Sequence, residues 1–335
     1  MQNPSADQAS PAALLEIAVG YQKSQTLFTL VELEIPALLA AERLNAPDLA
    51  RRLKIHPLAM ERFLNAATAL GLLEKEGEFF ANSALSARFL VKGEAGYLGG
   101  QMRRYQKRSY PQWENLTARL ADWRYGETAA QNPEDADQGA EAMEEQHNLA
   151  LLHGAALAGN FDFSGRGRLL DVGGGTGAMS IALCEKIPHL RAIVFDLPEN
   201  VARAEELVRQ KGLADRIECV GGDLLRDELP EGFDVALVAN LLAVFDAETN
   251  KKLFARIYEK LPAGGACLVS GWMLDEDRLG PEISVLFCLE DICWQSPDVE
   301  RSAAVYRDWL AAAGFDEIAV KTYYDPTKLI AARKR

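Results

Sequence analysis

The chain has 335 residues, 48% hydrophobic and 25% charged, a composition that excludes collagenous repeats and intrinsic disorder, and its length suits two domains better than one. Lys and Arg number 36 against 49 Asp and Glu, and the resulting net charge of -13 disfavours nucleic-acid backbones and anionic lipid as partners. Five cysteines, odd in number and never spaced C-x-x-C, exclude a disulfide framework and a zinc site.

The first residues lack the basic start and apolar stretch of a signal peptide. No run of 18 apolar residues follows, so a cytoplasmic chain with no membrane partner is expected. From Ala13 to about Leu90 the pattern is helical. Leu14, Leu15, Ala18, Val19 and Tyr21, followed by Leu27, Leu30, Val31, Leu33 and Ile35, are too dense in apolar positions for helices that face water, and a second copy of the chain is the expected cover. Asn45 can cap a short helix through Leu53, with Pro47 tolerated in the first turn. Pro57 opens a second helix, which stops at Gly71. Residues 72–80 then read as strand, a turn at Gly77, and strand. Two short helices and a small hairpin make a winged-helix unit within residues 1–100. Charge decides whether that unit reads DNA. Residues 1–100 hold nine Lys/Arg against eleven Asp/Glu, Arg62 lies beside Glu61, and the wing carries Glu74, Glu76 and Glu78 where phosphate-binding groups would be needed. No nucleic-acid partner is expected.

Residues 101–160 read as connecting helices. Arg103, Arg104, Lys107 and Arg108 make a solvated face, and the acidic run from Glu134 to Glu145 is expected to be solvated, with little regular structure before Ala140. Beyond Gly165 strands alternate with helices: strands over Arg168–Val172, Ala192–Asp196, Ile217–Val220, Val235–Ala239 and Ala266–Ser270, and helices such as Asn200–Lys211 and Ala247–Leu261. The alternation predicts an α/β fold over residues 161–335, a doubly wound parallel sheet covered on both faces.

Leu169-Leu-Asp-Val-Gly-Gly-Gly-Thr-Gly-Ala-Met-Ser is the most informative segment. A strand enters Gly173, Gly174, Gly175 and Gly177 and then a helix, so backbone amides can closely approach a ligand. Asp196 ends the next strand, 23 residues after Gly173, where an acid meets ribose hydroxyls in such folds. Glycines at 173, 175 and 177 give G-x-G-x-G, and Asp171 would repel a pyrophosphate, which disfavours a dinucleotide. A carboxylate there suits an ammonium or a sulfonium. S-adenosylmethionine carries both. Gly222-Asp223-Leu224 at the third strand end supplies an acceptor for an adenine amino group and an apolar contact for its ring.

Asp171-Val-Gly-Gly-Gly-Thr-Gly, Asp196, Gly222-Asp223-Leu224 and Pro262-Ala-Gly-Gly265 resemble class I S-adenosylmethionine-dependent methyltransferases. With the winged-helix start, the chain from about residue 13 to 335 is similar to the dimeric small-molecule O-methyltransferases of plant and bacterial secondary metabolism. The resemblance implies a Rossmann-like sheet whose last strand is antiparallel, formed by Tyr323-Tyr324 through Ala332, and an N-terminal dimerisation domain. It puts the methionine end near Gly173 and Gly175 and the ribose on Asp196. The adenine would lie among Asp223, Leu224 and Phe245, with Leu197, Gly222 and Asn240 beside these groups. No metal is implied.

The resemblance breaks at the catalytic base. Where relatives read Leu-His-Asp-Trp, this chain reads Leu242-Ala243-Val244-Phe245, so Ala243 stands in the His position. A phenol with a pKa near ~10 is about one part in a thousand ionised at neutral pH, and a positioned base is worth roughly 10²–10⁴ in rate. Candidate replacements are His147 and His153 on the helix entering the second domain, and the acid pair Glu290 and Asp291 on an otherwise apolar helix where relatives line the acceptor cavity. Tyr105, Tyr110, Trp113, Trp272, Met273 and Trp294 could wall that cavity. The expected activity is methyl transfer to a small aromatic or conjugated molecule, at oxygen first and at nitrogen or carbon next. The alternatives are a non-methylating reaction on the same cofactor and a winged-helix regulator.

Overall fold

The computed structural model describes residues 10–123, 134–293 and 301–335, with the backbone alone over 134–145. The chain divides into two compact units, one ending at Tyr110 and one beginning at Pro111.

The first unit opens with α1 (Pro11–Ala18), α2 (Gly20–Glu32) and α3 (Ile35–Ala41). Between α2 and α3 Glu34 takes a left-handed conformation (φ 51°), which splits the helical run that the apolar pattern alone left continuous. A short strand β1 (Leu44–Asn45) leads into α4 (Ala46–Leu53), whose first turn is capped as expected, Asp48 N donating to Asn45 Oδ1 at 2.8 Å. Then come α5 (Pro57–Ala69) and the wing, β2 (Leu73–Glu76) and β3 (Phe79–Asn82). β1 pairs with β3 through Leu44↔Phe80, so the wing is a three-stranded sheet rather than a bare hairpin. Two residues carry no readable period, which is why β1 escapes the sequence. After α6 (Ala84–Phe89), α7 (Gly99–Arg104) continues as a π-helical turn to Ser109. The core gathers Leu30, Ile35, Leu49, Met60, Leu64 and Phe80.

The short helix α8 (Tyr110–Trp113) spans the junction, and the second unit continues with α9 (Leu116–Asp122) and α10 (Glu134–Leu157). The helix starts at Glu134, which corrects the expectation of little regular structure before Ala140. The six residues before Ala140, Glu-Asp-Ala-Asp-Gln-Gly, include weak helix formers, but they join a 24-residue helix whose later Ala, Glu, Gln, Met and Leu favour it. Strands β4 (Arg168–Val172), β5 (Arg191–Asp196), β6 (Ile217–Gly221), β7 (Val235–Ala239) and β8 (Ala266–Gly271) alternate with α11 (Ala178–Lys186), α12 (Pro198–Gln210) and α13 (Ala247–Lys260). After β8 come α14 (Glu282–Cys293), α15 (Ala303–Ala312) and the hairpin β9 (Asp316–Tyr324) and β10 (Thr327–Arg333). The sheet order is β6-β5-β4-β7-β8-β10-β9. The first five strands are parallel, and β10 runs antiparallel beside β8 as the resemblance implied.

Side chains that alternate along β4 go to opposite cores. Leu170 and Val172 join Phe195, Val238, Phe254 and Leu310 on one face, and Leu169 joins Val194, Leu237, Ile181 and Val208 on the other. Each such side chain taken from water stabilises the fold by roughly 1.5–3 kcal/mol, which is why these strands read as continuous apolar runs. At the last strand's end Lys334 Nζ donates to the carbonyls of Tyr258 (2.6 Å) and Leu261 (2.7 Å), placing a cation on the final turn of α13. Among the described residues no single helix is long and apolar enough to cross a membrane.

Candidate active site

Because β4, β5 and β6 are parallel neighbours, the three motif-bearing strand ends lie side by side. Gly173 N donates to Phe195 O (2.8 Å), Gly175 N to Asp196 Oδ2 (2.7 Å) and Gly222 N to Asp196 O (2.8 Å), which stitches the turns together. The turn after β4 needs its glycines. Gly173, Gly175 and Gly177 have φ of 65°, 54° and 70°, and a Cβ on Gly173 would stand 2.7 Å from Leu241 Cδ1. The same addition on Gly222 would meet the Phe195 ring at 2.5 Å, so both turns let backbone run where no side chain fits.

Asp171 lies beneath the turn. It is buried, its Oδ2 accepts from Ser180 Oγ at 2.7 Å, and Gly174 passes over its carboxyl group. Burial pushes this carboxyl up to about 6; the Ser180 hydrogen bond opposes the shift and the charge of Asp196 adds to it. A cation bound above the turn would favour the ionised form. Asp196 is half-buried, and its carboxylate also accepts from Leu197 N (2.7 Å) and Asn200 Nδ2 (2.6 Å), which fixes its plane at the strand end. Asp223 accepts from Leu225 N (2.8 Å), with Arg226 3.4 Å away. Leu197 is exposed beside Asp196, and Leu224 is half-buried beside Asp223.

On the other side of Gly173 the chain leaves β7 through Asn240, exposed and left-handed (φ 53°), its N–H donating to Ser270 O at 2.9 Å. A 3-10 turn (Leu242–Val244) carries Ala243 and delivers the half-buried Phe245 to the start of α13. A glycine cradle, two carboxylates at successive strand ends, and an aliphatic and an aromatic side chain fit a nucleoside that bears a cationic amino-acid tail.

The four catalytic candidates lie on two helices, α10 and α14. His147 joins Thr176 of the glycine-rich turn, Nδ1 to Oγ1 at 2.8 Å; burial lowers its imidazole to about 4, and Lys211 and Arg203 add to the effect. Six residues on, His153 is buried with Nε2 3.3 Å from Thr327 Oγ1 and its ring edge-on to Tyr323 and Tyr324; burial alone lowers it to about 4. Both imidazoles are neutral at pH 7. Asp291 is bound bidentately by Arg301, both contacts at 2.7 Å, whereas Glu290 is buried on the same helix. Of the aromatic candidates, Tyr110 packs edge-on to Phe28 in the first unit (5.9 Å between ring centres), and Met273 is core. Trp272 lies edge-on to Phe287 of α14 (4.5 Å), its indole N–H donating to Thr327 Oγ1 (3.1 Å). Tyr105 belongs to the first unit's π-helical turn, Trp113 is half-buried at the end of α8, and Trp294 lies outside the described residues.

Sequence reasoning missed Thr176, Ser180, Thr327 and Asn250. Asn250 did leave a signal, a polar residue on the stripe Asn250, Leu253, Phe254, Ile257 that α13 buries.

This fold and site define a class I methyltransferase. Residues 118–316 match the O-methyltransferase domain and residues 15–92 the O-methyltransferase dimerisation domain, so the chain belongs to the O-methyltransferase family and uses S-adenosylmethionine. It is 33% identical over 327 residues to the 3-hydroxy-5-methyl-1-naphthoate 3-O-methyltransferase of Streptomyces sahachiroi, covering 94% of this chain and 92% of that one. To the N,N-dimethyltransferase OxyT of Streptomyces rimosus it is 36% identical over 281 residues, 81% of each chain. The structure of human N-acetylserotonin methyltransferase in complex with S-adenosylmethionine superposes with a TM-score of 0.85 at 27% identity, over 99% of both chains. The protein is an S-adenosylmethionine-dependent methyltransferase of small molecules.

Proposed function

We propose that the acceptor is a hydroxyl on a flat aromatic or conjugated molecule of secondary metabolism, and that the enzyme works as a cytoplasmic homodimer. What supports the reading is the turn Leu242–Val244, where Ala243 stands at the position that the sequence resemblance gives to a base. His147 and His153 each bond a threonine through one ring nitrogen, and this reading assigns the base's role to neither. Catalysis then rests on alignment, which can contribute about 7–11 kcal/mol when the reacting atoms are held in line, and on a hydroxyl acidic enough to ionise by itself. A hydroxyl on a fused ring beside an electron-withdrawing group meets that need. The naphthoate-methylating relative supports a hydroxyl on a fused ring as the acceptor.

The bound S-adenosylmethionine supplies an electrophilic methyl group on a sulfonium. In this reading Asp196 takes the ribose hydroxyls, and Asp223, Leu224 and Phe245 take the adenine. Gly173 and Gly175 lie against the methionine tail, with Asp171 countering its positive charge from below, while Leu197, Gly222 and Asn240 complete the walls. Trp272 and Phe287 offer an aromatic corner to the acceptor, and Glu290 lies on the same helix as Phe287. The exposed apolar face of α1 supports the homodimer, and the five free cysteines suit a reducing compartment.

Nitrogen is the second reading. An amine needs no base to attack, so Ala243 favours it too, and OxyT acts on nitrogen by its name. Transfer of isotope-labelled methyl to paired hydroxynaphthoate and aminonaphthoate acceptors separates the two. Label in the ether product is expected, with a rate that rises with pH until the hydroxyl's own pKa; label in the amine alone would reverse the order.

A further inference from the structure

The turn that carries Ala243 and Phe245 is anchored by a residue that reaches neither ligand. Asn250 is 1% exposed in the second turn of α13, and its Nδ2 donates to Leu242 O at 2.8 Å and to Phe245 O at 3.1 Å. The amide orientation is forced, because two carbonyl acceptors require a group with two N–H bonds. A 3-10 turn of three residues has few backbone donors of its own to offer. Other restraints act on the turn's earlier residues: Asn240 N is tied to Ser270 O, Val244 N to Leu241 O at 2.9 Å, and the Leu242 side chain is buried in the core. Asp246 caps α13 by accepting from Thr249 N at 2.8 Å, which sets the helix but not the turn before it. Asn250 therefore holds the end of the turn that delivers Phe245.

We propose that Asn250 is a positioning residue for cofactor recognition: by holding the carbonyls of Leu242 and Phe245 it fixes the direction of the Phe245 ring. The proposal rests on the reading in which that ring stacks on the adenine. A polar side chain on a buried helix stripe is costly unless satisfied; here both N–H donors are used, while Oδ1 is buried without a hydrogen-bond partner among the described residues, so the contacts to the turn offset the cost of burying the amide. Aspartate, the nearest shape, cannot donate and would set a buried charge against two carbonyl oxygens.

The test is titration calorimetry of S-adenosylmethionine and of its demethylated product against the full-length protein and four variants: Asn250→Ala, Asn250→Ser, Phe245→Ala and the Asn250→Ala/Phe245→Ala double variant. The dissociation constant is expected to rise about tenfold in Asn250→Ala and about as much in Phe245→Ala, with Asn250→Ser, which keeps one donor, in between. The double variant should bind no worse than Phe245→Ala alone, since the two residues act on one contact. Turnover at saturating cofactor should change less than affinity. If the losses multiply in the double variant, Asn250 does not act through Phe245 and the proposal falls. If Phe245→Ala weakens binding while Asn250→Ala leaves it unchanged, the proposal alone is overturned; if Phe245→Ala binds like wild type, the adenine reading goes and the proposal goes with it. Should Asn250→Ala fail to fold, Asn250→Ser decides: weaker binding at an unchanged melting temperature supports the role, and unchanged binding ends it.

Discussion

The two units bury apolar surface in different ways. In the second, β8 is buried along all six residues and β7 along four of five, with cores on both faces of the sheet. In the first, α1 has no buried residue at all, and Leu14, Leu15 and Ile17 are 73%, 62% and 79% exposed. The second unit closes its sheet within a single chain, leaving exposed apolar side chains such as Leu225 and Leu279 outside it, whereas the first presents an apolar face on α1, a helix whose apolar residues are all exposed. The matching dimerisation domain spans residues 15–92 and so includes most of that face.

Substitutions should break this contrast in order of size. Phe254→Ala, in the core of the second unit, is expected to lower stability by about 3–5 kcal/mol in urea unfolding, because the cavity left in a closed core adds to the lost burial. Leu15→Arg with Ile17→Arg should hardly move the unfolding midpoint of the second unit but should halve the mass seen by light scattering. An unchanged mass would remove α1 from the interface. A smaller effect sets Asp171 against the two helix histidines. Asp171 titrates at about 6 in the fold against about 3.9 free, so stability lost to its buried charge at neutral pH returns as pH falls from about 6 to about 4. His147 and His153 run the other way: held neutral at about 4 against about 6.5 free, they lose stability over a similar interval. The histidines win two to one. Melting temperature should therefore fall on acidification, more steeply in Asp171→Asn and more gently in His147→Gln/His153→Gln, by a few degrees each. Least affected should be Arg43→Ala, which breaks an exposed pair with Glu76 and is expected to leave the melting temperature within error.

The parts of the fold with strong local signals were legible. Continuous apolar runs marked β4, β5, β7 and β8 to within a residue, and Asn45 and Pro57 marked helix starts through capping and proline chemistry. The glycines at 173, 175 and 177 announced a backbone that only glycine adopts readily, and their positive φ angles bear this out. What escaped depends on partners distant in sequence. His153 meets Thr327, 174 residues away, and Asp291 meets Arg301, ten residues away, so spacing could not distinguish a proton acceptor from a structural tie. The acidic stretch before Ala140 misled because its weak helix formers were read apart from the long helix they join.

Lys334 adds a practical consequence. Replacing Lys334 by Ala would remove one of two cations at the last turn of α13, Lys260 being the other, and α13 is the helix that carries Asn250. Lys334→Ala would leave the carbonyls of Tyr258 and Leu261 without that donor and is expected to fray the carboxyl end of the helix.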